Sequence, residues 1–207
     1  MKKLLNQSLP IGLLVLFVFL PSSVYSWSES FESIKQATDK VQSIESSFIQ
    51  KKQLKILKRP LISKGKFYFQ KPDSLRWEYL SPVPVVLMSH QGKIKRYLKK
   101  DGQFKEDIGA HLQAMQIVIQ EIAHWLAGNF DQNPSFNPEL LQKGTIRLTP
   151  KNQDMKDIIS HIELNLSNQP GVIDTVWIHE NKSSVTILDF QSAKINLPIE
   201  ESLFRNP

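Results

Sequence analysis

Hydrophobic and polar positions alternate along most of this chain, the period-2 signature of strands with one buried face. The densest example is Ser63–Tyr79. Phe67 and Phe69 share one face, and after a break Leu75, Trp77 and Tyr79 share one face with Arg76 and Glu78 opposite. The break is Gln70-Lys71-Pro72-Asp73: proline fixes its own φ and steers Lys71 away from helix, and Asp73 favours a turn. The prediction is a hairpin with five large apolar side chains on one side, which fill a core or line a site for an apolar ligand. The same reading predicts strands over 44–57, 61–70, 85–89 and 93–98, with Gln91-Gly92 and Asp101-Gly102 as turn signals. Further strands are expected over 144–148, 157–166, 171–179, 183–190 and 194–197.

The period changes twice. Over 28–43, Phe31, Ile34, Thr38 and Val41 form a helical stripe, with Ser28 or Ser30 available as cap and Glu29 and Glu32 in the first turn. Over 111–127, Leu112, Met115, Ile119, Ile122 and Leu126 recur at helical spacing, and Gly128 is a stop signal. A helix with one apolar face that interrupts a β meander must lie against the sheet. Residues 129–138, rich in Asn, Asp and Pro, are expected to be a loop, with Phe130 and Phe136 as candidate plugs. The expected architecture is mainly β: about ten or eleven antiparallel strands and two substantial helices.

The N-terminus changes the setting. Lys2 and Lys3 precede an apolar run, Ile11–Leu20, and Val24-x-Ser26 offers small residues for cleavage before Trp27. The apolar run ends at Pro21, short of the roughly 20 residues a spanning helix needs. Residues 1–26 are therefore expected to be a cleaved signal peptide, and 27–207 one domain exported to the periplasm. The chain has no cysteine, hence no disulfide, no thiol chemistry and no lipid-bearing N-terminal Cys. The net charge of +6 is unevenly placed: 51–105 holds fifteen Lys and Arg against three acids. That is either the solvated face of alternating strands or a surface for anionic headgroups or an acidic partner protein. Export and the absence of any nucleic-acid motif argue against nucleic acid as a partner.

Candidate chemistry is sparse. The five histidines are scattered. His161 and Glu163 share a strand face, but two ligands without a third do not make a metal site, so none is predicted. No phosphate-cradling glycine loop, nucleophile elbow or metalloprotease helix occurs, and no catalytic residue is assigned. The chain is expected to bind rather than catalyse.

Several residues carry a resemblance. Phe48-x-Gln50, Ser63-x-Gly65, Lys71-Pro72 and Leu75-x-Trp77-x-Tyr79, with Gln91-Gly92-Lys93 and Ala193–Pro198 further on, resemble the LolA-like periplasmic carriers of outer-membrane lipoproteins. The resemblance spans most of the chain after residue 26. It implies an incomplete antiparallel β-barrel with a helical lid over a hydrophobic cavity that shields acyl chains. It makes Phe67, Phe69, Leu75, Trp77 and Tyr79 candidate cavity wall, with Val86, Met88, Met115 and Ile119 as further candidates, and Lys71 the candidate lid-gating residue. The carriers have Arg at the position of Lys71 and an aromatic residue at that of Leu75. The implied function is a monomeric periplasmic chaperone carrying lipoproteins from the inner to the outer membrane. Its implied partners are acylated lipoproteins, an inner-membrane ATP-driven extractor and an outer-membrane acceptor. The alternative is a LolA-like carrier or sensor of another lipid, such as a glycolipid or polyene lipid. No cofactor is implied.

Overall fold

A computed structural model of the chain describes residues 30–107, 121–122, 124–126, 130, 133–142, 144–180 and 184–207. The expected signal peptide and two cavity candidates, Met115 and Ile119, lie outside the described residues.

Among the described residues, eleven antiparallel strands form one sheet. They are β1 (Ser43–Leu54), β2 (Leu61–Gln70), β3 (Ser74–Ser81), β4 (Val85–His90), β5 (Lys93–Lys100), β6 (Gln103–Glu106), β7 (Phe136–Leu141), β8 (Thr145–Pro150), β9 (Ile159–Leu166), β10 (Ile173–Glu180) and β11 (Ser184–Ile195). Their order, β6-β5-β4-β3-β2-β1-β11-β10-β9-β8-β7, is two meanders joined where β1 pairs with β11. The sheet is open, with β6 and β7 as its edges. This is the incomplete antiparallel barrel expected from the sequence.

The inner face carries the main core, which runs from Ile44, Phe48, Phe67, Phe69, Leu75 and Trp77 to Ile146, Ile162, Val176 and Leu188. Two helical pieces cover it. Helix α1 (Phe31–Asp39) starts at Ser30, whose hydroxyl accepts from the Ser33 amide in a capping box, and buries Ile34 and Thr38. Residues 121–122 and 124–126 are helical and bury Ile122, Trp125 and Leu126 in the same core.

The structure corrects three local expectations. Strand β7 begins at Phe136, inside the expected loop; Pro138 is tolerated because β7 is an edge strand, paired on one side only. Residues 153–158 form a short helix, α2 (Gln153–Ile158), capped by Asn152, ahead of β9. Residues 183–197, read as two strands, form a single β11 whose register with β1 shifts between Glu45 and Ser47. Ser192, in the left-handed region at φ 55°, lies in the bulged stretch. A 3-10 turn, Glu201–Phe204, follows β11.

Candidate functional site: an apolar pocket on the inner face

The pocket forms where side chains become small. Ser46 on β1 pairs with Phe67 on β2, and the bulge in β11 sets Ala193 nearby. A hydroxymethyl and a methyl leave a hollow between the rings of Phe67 and Phe190. Ile44, Val172, Ile173 and Val176 wall it, and Ile122 and Leu126 cover it. Its free volume is about 20 Å³, room for one water and far short of an acyl chain. Ser46 Oγ is buried there with no hydrogen-bond partner. The pocket is a small, partly open, apolar space with one unspent polar group.

Among the described residues of the expected wall, only Phe67 lines this pocket. Phe69, Leu75, Trp77 and Tyr79 share the inner face but are packed as core, Phe69 and Leu75 with no exposure at all. The rings form a continuous cluster: Phe48 lies 5.0 Å from Trp77, Phe67 5.4 Å from Trp77, and Phe190 5.5 Å from Phe67, centroid to centroid. Offset and edge contacts of this kind add about 0.5–1.5 kcal/mol per pair beyond area burial. The Tyr79 hydroxyl donates to Gln50 Oε1 at 2.7 Å, and burial pushes its pKa up.

Val86 and Met88 do not belong to this wall. In the β3–β4 register, Leu87 stands opposite Trp77, whereas Val86 and Met88 stand opposite Glu78 and Arg76. They lie on the outer face and pack with Tyr97 and Phe104 in a second cluster. The neighbouring outer side of β3 is held by the C-terminal turn: Arg76 Nη1 donates to the carbonyls of Leu203 (3.0 Å) and Asn206 (2.6 Å). An apolar run buried on both faces hides its parity, which is why alternation misassigns it.

Lys71 grips a helix, but at α1. Its ammonium donates to the carbonyls of Thr38 (3.0 Å) and Asp39 (3.2 Å), with the Asp39 carboxylate at 3.8 Å. A cation at a helix C-terminus satisfies orphan carbonyls and complements the dipole. Asn196, at φ 58°, completes the anchorage: its side chain accepts from the Gln42 amide and donates to the Lys40 carbonyl. Gly171 allows the close approach, since a Cβ there would lie 2.8 Å from the Ala37 backbone. Helix α1 is thus fixed beside Val172 at one end of the pocket. Away from the pocket, toward the far ends of β1 and β10, the inner face turns polar, where Lys52 and Thr186 both bond Glu180.

On the outer face of β9 and β10 the structure adds to the pair seen in the sequence. His161 and Glu163 do share a face, and His179 joins them from β10, directly across from His161. The two imidazoles stack at 4.0 Å, and Arg147 Nη2 donates to Glu163 Oε1 at 2.8 Å. Partial burial and the neighbouring His179 lower the His161 pKa; the bond from Arg147 holds the Glu163 carboxyl below its usual range. Antiparallel pairing, invisible in a linear scan, supplies the third residue.

Residues 39–206 match the family described as outer membrane lipoprotein carrier protein LolA. No curated protein matches the chain. Similar solved structures include a DUF1329 family protein from Desulfovibrio piger (11% identity, 84% of this chain and 95% of that one, TM-score 0.49). A LolA superfamily protein from Nitrosomonas europaea is also similar (10% identity, 86% and 98%, TM-score 0.45). So is a chain of the Pseudomonas aeruginosa MucA/MucB complex (14% identity, 83% and 58%, TM-score 0.40).

Proposed function

The chain belongs to the LolA family of outer membrane lipoprotein carrier proteins, and from that premise we propose that it is a periplasmic carrier that shields the acyl chains of lipoproteins. The observation that supports this reading is the pocket floored by Ser46 and Ala193 beneath Ile122 and Leu126. Acyl chains are recognised by area, at roughly 0.8 kcal/mol per buried methylene, so the binder needs apolar surface more than directed bonds. The pocket is small because an open apolar cavity would stand in water and promote association. Cargo therefore enters by displacing the cover, and the energy for that comes from the methylenes it buries. The delivery steps follow as part of the proposal: an ATP-driven extractor in the inner membrane loads the carrier, and an outer-membrane acceptor unloads it. A glycolipid or polyene cargo would use the same pocket.

The test is displacement of a fluorescent sixteen-carbon fatty acid by a triacylated lipopeptide. The natural chain is expected to bind both. Ala193→Phe, which fills the hollow from a half-buried position, is expected to weaken binding at least ten-fold while the unfolding midpoint barely moves. Equal binding by a folded Ala193→Phe variant places the acyl chain elsewhere. Binding of the free fatty acid without displacement by lipopeptide favours another lipid as cargo.

A further inference from the structure

We propose that His161, Glu163 and His179 form a binding site for a divalent metal ion of the zinc class on the outer face of β9 and β10. The three ligand atoms all lie within 4.8 Å of one another. His161 Nε2 stands 3.6 Å from Glu163 Oε1, and His179 Nε2 stands 4.0 Å from Glu163 Oε2. Zinc holds imidazole nitrogens and carboxylate oxygens at about 2.0–2.2 Å, so tetrahedral ligands sit about 3.3–3.5 Å apart. Each ring nitrogen faces a different oxygen of the carboxylate, within about half an ångström of that spacing, so binding an ion requires the side chains to draw in from a set spread over up to 4.8 Å.

The surroundings are those of a ligand set. His179 Nε2 is buried and has no hydrogen-bond partner, which leaves a polar atom with a position to fill. Ser160 Oγ stands 3.1 Å from His161 Nδ1 and can accept a hydrogen bond from its N–H, in the tautomer that leaves Nε2 free to bind metal. Arg147 engages Glu163 through Oε1 at 2.8 and 3.3 Å, orienting the carboxylate with Oε2 toward His179. Two imidazoles and one carboxylate suit zinc, with copper(II) and nickel(II) as competitors, and leave a fourth position for water. The Arg147 charge offsets that of Glu163, so affinity falls below that of closed four-ligand sites. All three side chains are partly exposed, which gives the ion an entry path. The site ties β9 to β10 on the side opposite Val176 and Ile178, which face the core.

The experiment is calorimetric titration of the untagged, metal-stripped chain with zinc chloride, alongside thermal unfolding with and without zinc. One zinc per chain and a raised unfolding midpoint are expected. Both effects should vanish in the His161→Asn, His179→Asn double variant, and Glu163→Gln should weaken binding at least ten-fold. His90→Asn, far from the cluster in the sheet, should change neither. Cobalt(II) should give a visible absorption band that the double variant lacks. Substoichiometric zinc, or zinc binding that survives the double variant in folded protein, overturns the proposal.

Discussion

A Cβ on Gly65 would sit 2.0 Å from the Glu78 carbonyl and 2.6 Å from the Phe48 ring, so this strand glycine exists to let Phe48 lie flat across β2. The pair is direct, because Phe48 and Gly65 are register partners. At this scale the buried acid Glu121 invites a test. Asn133 donates to its carboxylate, while Asn133 Oδ1 accepts from the amides of Ser135 (2.8 Å) and Phe136 (2.9 Å). Burial nevertheless raises the Glu121 pKa, outweighing the Asn133 bond. A raised folded-state value gives stability that is complete below the unfolded pKa and is lost as pH rises through the folded one. Glu121→Gln keeps an oxygen for Asn133 and cannot ionise. Its stability relative to the natural chain should therefore increase from about pH 4 to about pH 7, spanning the ordinary carboxyl range and above. Urea midpoints at both values decide it; a pH-independent difference removes the buried-acid account.

Among elements, α1 depends for its position on single residues elsewhere. Its own buried surface is small, Ile34 and Thr38, and the turn of the chain after it is held by Lys71 and Asn196. Lys71→Ala removes two charge-assisted bonds to helix-end carbonyls, at a cost of about 1–2 kcal/mol. If α1 helps close the pocket, the variant should also take up the fluorescent fatty acid faster, measured by stopped flow. Unchanged uptake in a destabilised variant would leave Lys71 a purely structural latch. Arginine at this position offers a planar fork where lysine offers one flexible ammonium, so the two need not hold the helix equally.

The molecule as a whole is organised about β1, which pairs with β2 over ten residues and with β11 along its length. The edges are short: β6 has four residues and β7 six. Opening free energy should follow that gradient. Hydrogen exchange is expected to be slowest in β1, β2 and β11 and fastest in β6 and β7; uniform protection would contradict it. The basic stretch also changes meaning at this scale. Lys52, Lys71, Arg76, Lys95, Arg96 and Lys105 have acidic partners, so part of the local excess is spent within the fold. Among the described residues, no helix is long and apolar enough to cross a membrane.

Strand alternation, the Lys71-Pro72-Asp73 corner and a serine cap at 28 or 30 were legible in the sequence because each depends on near neighbours in the chain; the structure chose Ser30. So was the shared inner face of Phe67, Phe69, Leu75, Trp77 and Tyr79. Which part of that face is pocket and which is core was not legible. The hollow depends on Ser46 meeting the β11 bulge at Ala193, residues far apart in sequence and brought together only by the β1–β11 pairing. The same holds for Val86 and Met88, whose face is set by register with β3. It holds again for His179, which meets His161 only across an antiparallel ladder. Local geometry fixes what each strand looks like; long-range register decides which side chains share a space.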